Sequence, residues 1–453
     1  MSLSYRERLH RVIPGGAHTY SRGDDQHPAN APEILVSGKG ARVTAADGRT
    51  LLDYGMGLRA VTLGYADERI NRAALRGMEL GVNLTRASVT ELEAAERLVG
   101  LVDAADMVKF AKNGSNVTTA AAKVARAFTG RPLVCVPRQH PFFSFDDWFI
   151  GTTPVTRGIP AGHHATTLLF DYGDLASLRQ LFEAHPGQIA GVMLEPATTV
   201  GPCDAMPGYD RLRPPAPAAC AAWPGNFLRQ VQDLCRAQGA LFILDEMITG
   251  FRWDLHGAQR LFGVQPDLST FGKGMANGFA VSALVGRREV MEVGAIDKPG
   301  QERTFLISTT HGAEMASLAA FLETVAVYEE HAVVEHLWRH GAQLLAGLEQ
   351  AAREAGVAGQ FQLQGNAISM NYATFDAAGQ PSLALRTLFA QEMIRHGVLM
   401  PWIAPSFAHG AAELDCALAA ARQALAVYAH ALEDGVERYL EGPAIKPVFR
   451  QFN

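Results

Sequence analysis

Short apolar runs alternate with helical stretches between about residue 85 and residue 310. The apolar runs include LVCV at 133–136, IAGVMLE at 189–195 and ALFILDE at 240–246. Strands that are apolar throughout are typical of parallel sheets whose two faces are covered by helices. The pattern therefore predicts an α/β domain in this part of the chain.

The two ends of the chain have their own patterns. The amino-terminal part predicts a helix over Tyr5–Val12, and GARVTAADGRTLLDY (40–54) alternates apolar and polar residues around an Asp-Gly pair, which is a hairpin signal. Beyond residue 310 an Ala/Leu-rich helical region precedes the strand-like ISMNY (368–372) and more helix. A chain of 453 residues exceeds the usual size of one domain, so we expect two or three subdomains.

Composition and charge narrow the classes of partner. The net charge is −6, and no block of Lys and Arg stands out, so neither nucleic acid nor a membrane surface is an expected partner. Mean hydropathy is +0.02, and no apolar run approaches the roughly 20 residues that a membrane span needs. The charged amino terminus, MSLSYRERLHRVIPGG, lacks the apolar core of a signal peptide. We therefore expect a cytoplasmic protein.

The cysteines fit the same compartment. They are scattered and odd in number, namely Cys135, Cys203, Cys220, Cys235 and Cys416. Because no CxxC pair occurs, the sequence predicts neither a disulfide framework nor a metal site.

The candidate chemistry centres on an acid and a lysine. Asp245 ends the apolar run at 241–244, so a buried parallel strand would present its carboxylate at the carboxyl edge of the sheet. Lys273 lies between two glycines in STFGKG (269–274), which lets its amine approach a ligand. Such a pair suggests pyridoxal phosphate (PLP), with the lysine forming the Schiff base and the acid pairing with the ring nitrogen. Taken alone, the pair also fits a helix-capping Asp and a solvated Lys.

The surrounding residues strengthen the PLP interpretation. The stretches DEMITGFR (245–252) and GAQRLFGVQPDLSTFGKGMANGFAVSALVGRREVM (257–291) resemble the class III aminotransferases of PLP fold type I. The similarity is greatest to the branch containing glutamate-1-semialdehyde aminomutase, and it extends from IPGG (13–16) to His409, which we expect to be structural.

The resemblance implies an α/β fold of two parts. It implies a large PLP-binding domain, here 61–310, with a mostly parallel seven-stranded sheet covered by helices. It also implies a smaller α+β domain built from the amino-terminal segment 1–60 and the carboxy-terminal segment 311–453.

The phosphate of PLP needs backbone amides at a helix amino terminus together with hydroxyl groups. KNGSNVTTAAAKVARAFTG (112–130) offers these at Gly114, Ser115 and Asn116, and it resembles the phosphate loop of the family. Thr309, in STTHG (308–312), matches a threonine that in the family reaches the phosphate bound by the other subunit. The resemblance thus implies a homodimer whose active sites are shared across the interface.

The faces of the cofactor ring need apolar covers. In the family an aromatic residue of a Tyr-His-Gly motif stacks on one face, but this chain reads RQHPFFSFDDWF, with Phe142 closest to the aromatic position and Phe143 as the alternative. Met247 is expected on the other face. Glu195 is expected to support the edge of the site, or to form a plain salt bridge.

Substrate recognition is less explicit. The resemblance assigns Thr19 and Arg22, in IPGGAHTYSR (13–22), to a substrate carboxylate, with Arg59 as a weaker candidate. A glutamate that gates the aminomutase pocket has no counterpart, and Trp402 lies in that region. The proline-rich stretch 202–225 indicates a loop that either overhangs the active-site mouth or is only a surface feature.

The best interpretation is a PLP-dependent aminotransferase that moves an amino group between an amino acid donor and a keto or aldehyde acceptor. One alternative keeps the cofactor and changes the reaction to that of an intramolecular 2,1-aminomutase, a racemase or an epimerase. Another is a non-catalytic scaffold with the same fold, although such a protein has no chemical need for Lys273.

Overall fold

Two compact units make up the chain. The computed structural model describes residues 3–202 and 225–453, so most of the proline-rich stretch lies outside the described residues. The first unit, called here the terminal unit, comprises Met1–Leu58, Thr62–Asp67 and Glu335–Asn453. The second, the central unit, comprises Arg59–Val61 and Glu68–Val334. The segment boundaries at residues 60 and 310 stay a prediction.

The central unit is built on one large sheet. Its seven strands are β4 (Met107–Ala111), β5 (Leu133–Pro137), β6 (Thr167–Phe170), β7 (Ile189–Leu194), β8 (Leu241–Asp245), β9 (Leu268–Phe271) and β10 (Ser282–Gly286). The strands of the terminal unit are β1 (Leu35–Lys39), β2 (Arg42–Ala45), β3 (Thr50–Asp53), β11 (Phe361–Gln364), β12 (Asn371–Thr374) and β13 (Val398–Leu399). The seven strands of the sheet have the order β4-β10-β9-β8-β7-β5-β6. Strands β6, β5, β7, β8 and β9 pair in parallel, and β10 runs antiparallel to both β9 and β4. The predicted α/β fold with a mostly parallel seven-stranded sheet is confirmed.

Helices cover this sheet. Those of the central unit are Glu68–Glu79, Val89–Leu101, Gly114–Thr129, Asp147–Ile150, Ala161–His164, Leu175–Ala184, Phe227–Gln238, Ala258–Leu261, Arg288–Met291 and Met315–His331. The helix Gly114–Thr129 packs an apolar face with Val117, Ala121 and Val124 into a core that also includes Ile243 of β8. Every residue of β5, β7 and β8 is buried, which explains why these strands are apolar throughout.

The carboxyl ends of β5, β7, β8 and β9 meet at one edge of the sheet, because these strands are parallel. In parallel α/β sheets this edge is where ligands bind. The fold therefore brings the residues that follow the four strands close to one another.

The terminal unit contains two small sheets and several helices. One sheet has the order β1-β2-β3-β13, and the other pairs β11 with β12. The helices are Tyr5–Val12, Leu383–Arg395, Ala411–Asp434 and most of Val333–Glu354. The predicted helix Tyr5–Val12 is confirmed, and so is the hairpin between β2 and β3, where Gly48 takes the left-handed φ of 90°.

One predicted strand is displaced. ISMNY was expected to form a strand over 368–372, but β12 begins only at Asn371. The residues before it form a turn in which the Ser369 amide donates to the Asn366 carbonyl at 2.9 Å, after Gly365 with a φ of 83°. Burial of this turn explains its apolar composition, which is indistinguishable from that of a short strand.

A buried cluster of aromatic and imidazole rings lies in the terminal unit. Tyr54 Oη and His340 Nε2 are 3.0 Å apart, and the Tyr54 ring stacks on His409 with centroids separated by 4.2 Å. His409 Nδ1 accepts from the Ser406 amide, so its Nε2 carries the proton and donates to the Asp53 carbonyl at 3.1 Å. His409 therefore ties its loop to the end of β3.

No helix within residues 3–202 and 225–453 has both the length and the apolar character needed to cross a bilayer.

The His340 ring should make stability depend on pH. Burial, and secondarily the neighbouring His336, lower the pKa of His340 to about 4. Above pH 6.5 the ring is neutral both folded and unfolded, so its contribution to stability is fully present. As the pH falls from 6.5 to 4, the unfolded chain binds a proton that the folded chain does not, and stability is lost.

We therefore expect His340→Gln to flatten the dependence of the free energy of unfolding on pH between 6.5 and 4, by up to about 1.4 kcal/mol per pH unit. Denaturant titrations at several pH values measure this slope. His331→Gln, at a ring that is half exposed, is the control and should keep the wild-type slope. Equal slopes for the wild type and His340→Gln would contradict the assignment.

Candidate active site

Asp245 ends β8 at the carboxyl edge of the large sheet, and only 3% of its surface is exposed. Its Oδ1 accepts from the Met247 amide at 2.9 Å and from Thr270 Oγ1 at 3.0 Å. Both of these bonds end on Oδ1, which fixes the carboxyl group and leaves Oδ2 outside them. Burial raises the pKa of Asp245, while the nearby Lys273 and the two hydrogen bonds lower it.

Lys273 follows β9, the strand beside β8, and enters a tight turn with the left-handed φ of 38°. Its amine lies within electrostatic range of two carboxyl groups, those of Asp245 and Glu195, and of two guanidinium groups, those of Arg59 and Arg252. Burial is the largest effect, and it lowers the pKa of Lys273, whereas the carboxylates raise it. The amine is thus easier to deprotonate than an ordinary lysine.

Glu195 follows β7, which lies between β8 and β5, and it is 4% exposed. Burial, together with the charge of Asp245, raises the pKa of Glu195, while Lys273 and Arg59 lower it. The Glu195 amide donates to Nδ1 of His140 at 3.0 Å, which joins the ends of β7 and β5. The edge of the site is thus formed by residues that follow four neighbouring strands.

Arg59 reaches this site from an unusual backbone conformation. The four residues of Met56–Arg59 have φ values of 41°, 58°, 62° and 68°, a left-handed turn that costs about 1–2 kcal/mol for each residue other than glycine. Within the terminal unit, the Gly57 amide donates to Tyr65 Oη at 2.7 Å. Within the central unit, Arg252 Nη2 donates to the Arg59 carbonyl at 3.1 Å. These bonds oppose the strain of the turn.

Arg252 is 1% exposed, and burial lowers the pKa of its guanidinium to about 10. It therefore keeps its positive charge at neutral pH. Because the Arg252 side chain also holds Arg59, it supplies both a buried charge and a support for the strained turn.

The amino terminus of the helix Gly114–Thr129 is prepared for an anion. Asn113 caps the helix by accepting from the Asn116 amide at 3.1 Å, so the amides of Gly114 and Ser115 remain at the open end. Ser115 Oγ accepts from the Phe145 amide at 3.0 Å, and its own hydroxyl hydrogen is left to donate.

Met247 packs between two glycines near this helix end. A Cβ on Gly114 would approach Met247 Sδ to 3.3 Å, and a Cβ on Gly272 would overlap the same sulfur. Gly272 must therefore lack a side chain for Met247 to take its position.

Two further predicted site residues of the central unit, Phe142 and Thr309, are exposed rather than buried. Phe142 is 46% exposed and contacts Phe149 edge to face, while the alternative, Phe143, is buried in the core. Thr309 is exposed in a segment of the central unit that lacks regular structure.

Three predicted substrate residues belong to the terminal unit. Thr19 and Arg22 lie at a short turn near the amino terminus, and Arg22 lines a small cavity with Arg6 and His10. Trp402 Nε1 donates to the Gly55 carbonyl at 2.9 Å, so the indole N–H is already used within this unit.

The donor set fits pyridoxal phosphate. A buried carboxylate with one oxygen left for a ring nitrogen, a lysine of lowered pKa and a helix end with open amides match the nitrogen, the aldehyde and the phosphate of that cofactor. His140 Nε2 is in addition a buried polar atom without a hydrogen-bond partner among the described residues.

Comparisons with known proteins identify the family. A sequence model described as aminotransferase class-III matches residues 24–167 and 218–406. The chain belongs to the class-III aminotransferase family. The predictions of the family, of PLP fold type I and of the PLP cofactor are confirmed.

Individual members of the family are similar over nearly the whole chain. The 3-aminobutyryl-CoA aminotransferase of Cloacimonas acidaminovorans is 31% identical over 88% of this chain and 89% of its own. The glutamate-1-semialdehyde 2,1-aminomutase of Thermomicrobium roseum is 32% identical over 94% of this chain and 98% of its own. The PLP internal aldimine form of the Sphingopyxis sp. MTA144 FumI protein superposes with a TM-score of 0.81, at 29% identity over 95% of this chain and 97% of that chain.

Sequence reasoning missed two side chains of this class-III site. Arg252 lies within the quoted DEMITGFR stretch but received no role, and His140 lies within RQHPFF beside the residues chosen as the ring cover. A polar residue just after a buried parallel strand was the available signal for His140, and it is the same signal that identified Asp245.

The contact between Gly272 and Met247 gives a test of the site's packing. Gly272→Ala should lower the free energy of unfolding by about 1–3 kcal/mol, because the new methyl group overlaps Met247 Sδ. Adding Met247→Ala should recover part of this loss, and Met247→Ala alone is the control. If the losses of the two single variants simply add in the double variant, the contact has been misplaced.

Proposed function

We propose that this class-III enzyme transfers an amino group from an amine donor to a keto or aldehyde acceptor, with Lys273 and Asp245 as its central residues. The observation that carries the proposal is the juxtaposition of the Lys273 amine and the Asp245 carboxyl group in one buried site beside the ends of two adjacent strands. When bound, PLP supplies the electron sink that stabilises negative charge on the amine-bearing carbon.

Lys273 is the proposed tether and base. Because burial lowers the pKa of its amine, Lys273 loses its proton more readily than an ordinary lysine, and Nζ can remove a proton from the amine-bearing carbon of the donor. The carboxyl groups of Asp245 and Glu195 oppose the effect of burial and accommodate the ammonium group after that transfer.

Asp245 is the proposed partner of the ring nitrogen. Thr270 and the Met247 amide hold its Oδ1, so Oδ2 can keep a proton on that nitrogen with little reorganisation. The proposed phosphate site consists of Gly114, Ser115 and Asn116 at their helix end, with Met247 packed beside the ring.

A homodimer with shared active sites is also part of the proposal. The central unit exposes a group of large apolar side chains, called here the apolar patch, namely Leu75, Met78, Leu80, Val82, Leu84, Val89 and Leu92. Asn83 Nδ2 donates to the Thr310 carbonyl at 2.8 Å, and the Met315 amide donates to the Val82 carbonyl at 2.8 Å. A second copy that covered the patch would therefore meet the exposed Thr309.

The cytoplasmic location and the lack of a nucleic-acid partner stay predictions from the sequence.

The donor and acceptor are small molecules, and the positive charges near the site favour a carboxylate on at least one of them. Arg59 lies within electrostatic range of Lys273, and we propose it as a carboxylate-binding residue. Thr19 and Arg22 of the terminal unit stay substrate-binding predictions from the sequence. The exposed Phe142 is proposed as an apolar wall for the cofactor ring. Trp402 of the terminal unit stays a substrate-binding prediction from the sequence.

An intramolecular aminomutase is the second candidate, because the similarity to the T. roseum aminomutase extends over 94% of this chain. The same Lys273 amine and Asp245 carboxylate serve that reaction, as they serve a racemase. What differs is the fate of the amino group, which an aminotransferase leaves on the cofactor when it releases the first product.

Single-donor half-reactions separate these reactions and test the assigned residues. We expect glutamate, alanine or another amine donor, added alone, to convert the bound cofactor to its amine form, as followed by absorbance. Lys273→Ala and Asp245→Asn should each slow this conversion by about 100-fold or more. Glu289→Gln, at an exposed carboxylate, is the control and should react at the wild-type rate.

Turnover of glutamate semialdehyde without accumulation of free donor product, combined with no conversion by any other amine donor, would instead establish the aminomutase.

Mixed dimers test the shared site. We expect Thr309→Asp, which places a negative charge beside the phosphate, and Lys273→Ala each to be nearly inactive as purified dimers. When the two are unfolded, mixed and refolded together, hybrid dimers contain one intact site, so about a quarter of the wild-type activity should return. A mixture that stays inactive although sedimentation shows hybrid dimers would contradict sharing, as would a fully active monomer.

A further inference from the structure

His140 lies shortly after β5 at the carboxyl edge of the sheet, and it is 3% exposed. Its Nδ1 accepts from the Glu195 amide at 3.0 Å. An amide N–H can only donate, so Nδ1 carries no proton, and in the neutral ring the proton must be on Nε2. Burial keeps the ring neutral, because it lowers the pKa of His140 to about 3. The side chain therefore presents one N–H donor, at Nε2.

This donor has no acceptor within residues 3–202 and 225–453, and it is shielded from solvent. The ring is flanked by aromatic rings, with centroids 4.9 Å from Tyr172 and 5.9 Å from Phe143. A buried N–H without a partner is costly, so such a group points to a ligand that completes it.

The surroundings of His140 identify that ligand. His140 is bonded to Glu195, whose carboxyl group is within electrostatic range of Lys273 and Asp245. Lys273, Asp245, Glu195 and His140 lie at the ends of the successive strands β9, β8, β7 and β5, so His140 is on the β5 side of the site.

We propose that His140 is a cofactor-binding residue that donates a hydrogen bond from Nε2–H to the phenolic oxygen of PLP. The inference rests on the proposed function, in which Asp245 takes the ring nitrogen and the helix end at Gly114 takes the phosphate. The phenolic oxygen is the hydrogen-bonding atom of the ring that those assignments leave over, and in its ionised form it is a strong acceptor. Donation from His140 stabilises that ionised form.

Two substitutions separate this role from a structural one. His140→Asn keeps an oxygen near the Nδ1 position, where it can accept from the Glu195 amide, and removes the donor at Nε2. His140→Gln keeps an N–H donor near the Nε2 position and loses the acceptor for Glu195. The pair therefore divides the two hydrogen bonds of the imidazole between two variants.

The measurements are the dissociation constant for PLP, the absorbance of the bound cofactor as a function of pH, and the melting temperature of the cofactor-free protein. We expect His140→Asn to weaken PLP binding about 3–10-fold, to raise the pH at which the bound chromophore titrates, and to leave the cofactor-free melting temperature near that of the wild type. His140→Gln should stay closer to the wild type in affinity and in the chromophore titration.

Two outcomes overturn the role of His140. One is His140→Asn matching the wild type in affinity and titration while the wild type binds PLP. The other is that only His140→Gln is impaired, in parallel with its melting temperature, which would mean that the imidazole merely supports Glu195. If the wild type takes up no PLP, the proposed function itself fails, so the two failures are distinct.

A measurement on the unaltered protein covers the case in which the variants do not fold. An imidazole N–H that is protected from solvent gives a downfield proton resonance, and we expect one such resonance to move further downfield when PLP is added to the cofactor-free protein. A spectrum in which no imidazole N–H resonance changes would also overturn the proposal.

Discussion

Burial of charge at the carboxyl edge of the large sheet is the constraint on which this protein depends. Removing a carboxylate or an ammonium group from water is unfavourable, and the site places two carboxyl groups and one amine together beyond β7, β8 and β9. The charges of Lys273 and Asp245 oppose the effect of burial on each other, so each group favours the ionised form of the other. Replacing either residue alone would remove the largest electrostatic effect that opposes burial of the other.

Much of the neighbouring structure holds this arrangement in place. Thr270 and the Met247 amide fix Asp245, while the absence of a side chain at Gly272 makes room for Met247. Arg252 hydrogen-bonds to the strained left-handed turn Met56–Arg59. This turn carries Arg59, whose positive charge acts on Lys273. Part of the backbone is thus strained, and this strain accompanies the placement of the charged groups of the site.

The elements that the sequence predicts well are those with a local cause. Apolar strands such as β8, the Asp-Gly hairpin before β3 and the helix start at Gly114 all follow from short-range chemistry, and the class-III motifs identify Asp245 and Lys273 as a pair. A short strand and a buried apolar turn share one composition, which is why ISMNY was placed too early.

The features that the sequence does not predict are tertiary in origin. The left-handed turn Met56–Arg59 contains a single glycine, and it is fixed by bonds from Tyr65 and Arg252, which come from elsewhere in the chain. His140 gains its tautomer only from the Glu195 amide, more than fifty residues away. The substrate residues Thr19, Arg22 and Trp402 stay predictions, because no local pattern links them to the central unit.

The central claim is that Lys273 and Asp245 form one PLP site, and borohydride reduction of the cofactor-loaded enzyme tests it most directly. Reduction should fix the cofactor covalently to a single peptide, and mass spectrometry of the digest should locate it on Lys273. The bound cofactor of Asp245→Asn should be reduced at the same lysine but show an altered absorbance before reduction. An adduct on any other lysine, or no adduct at all, would contradict the account.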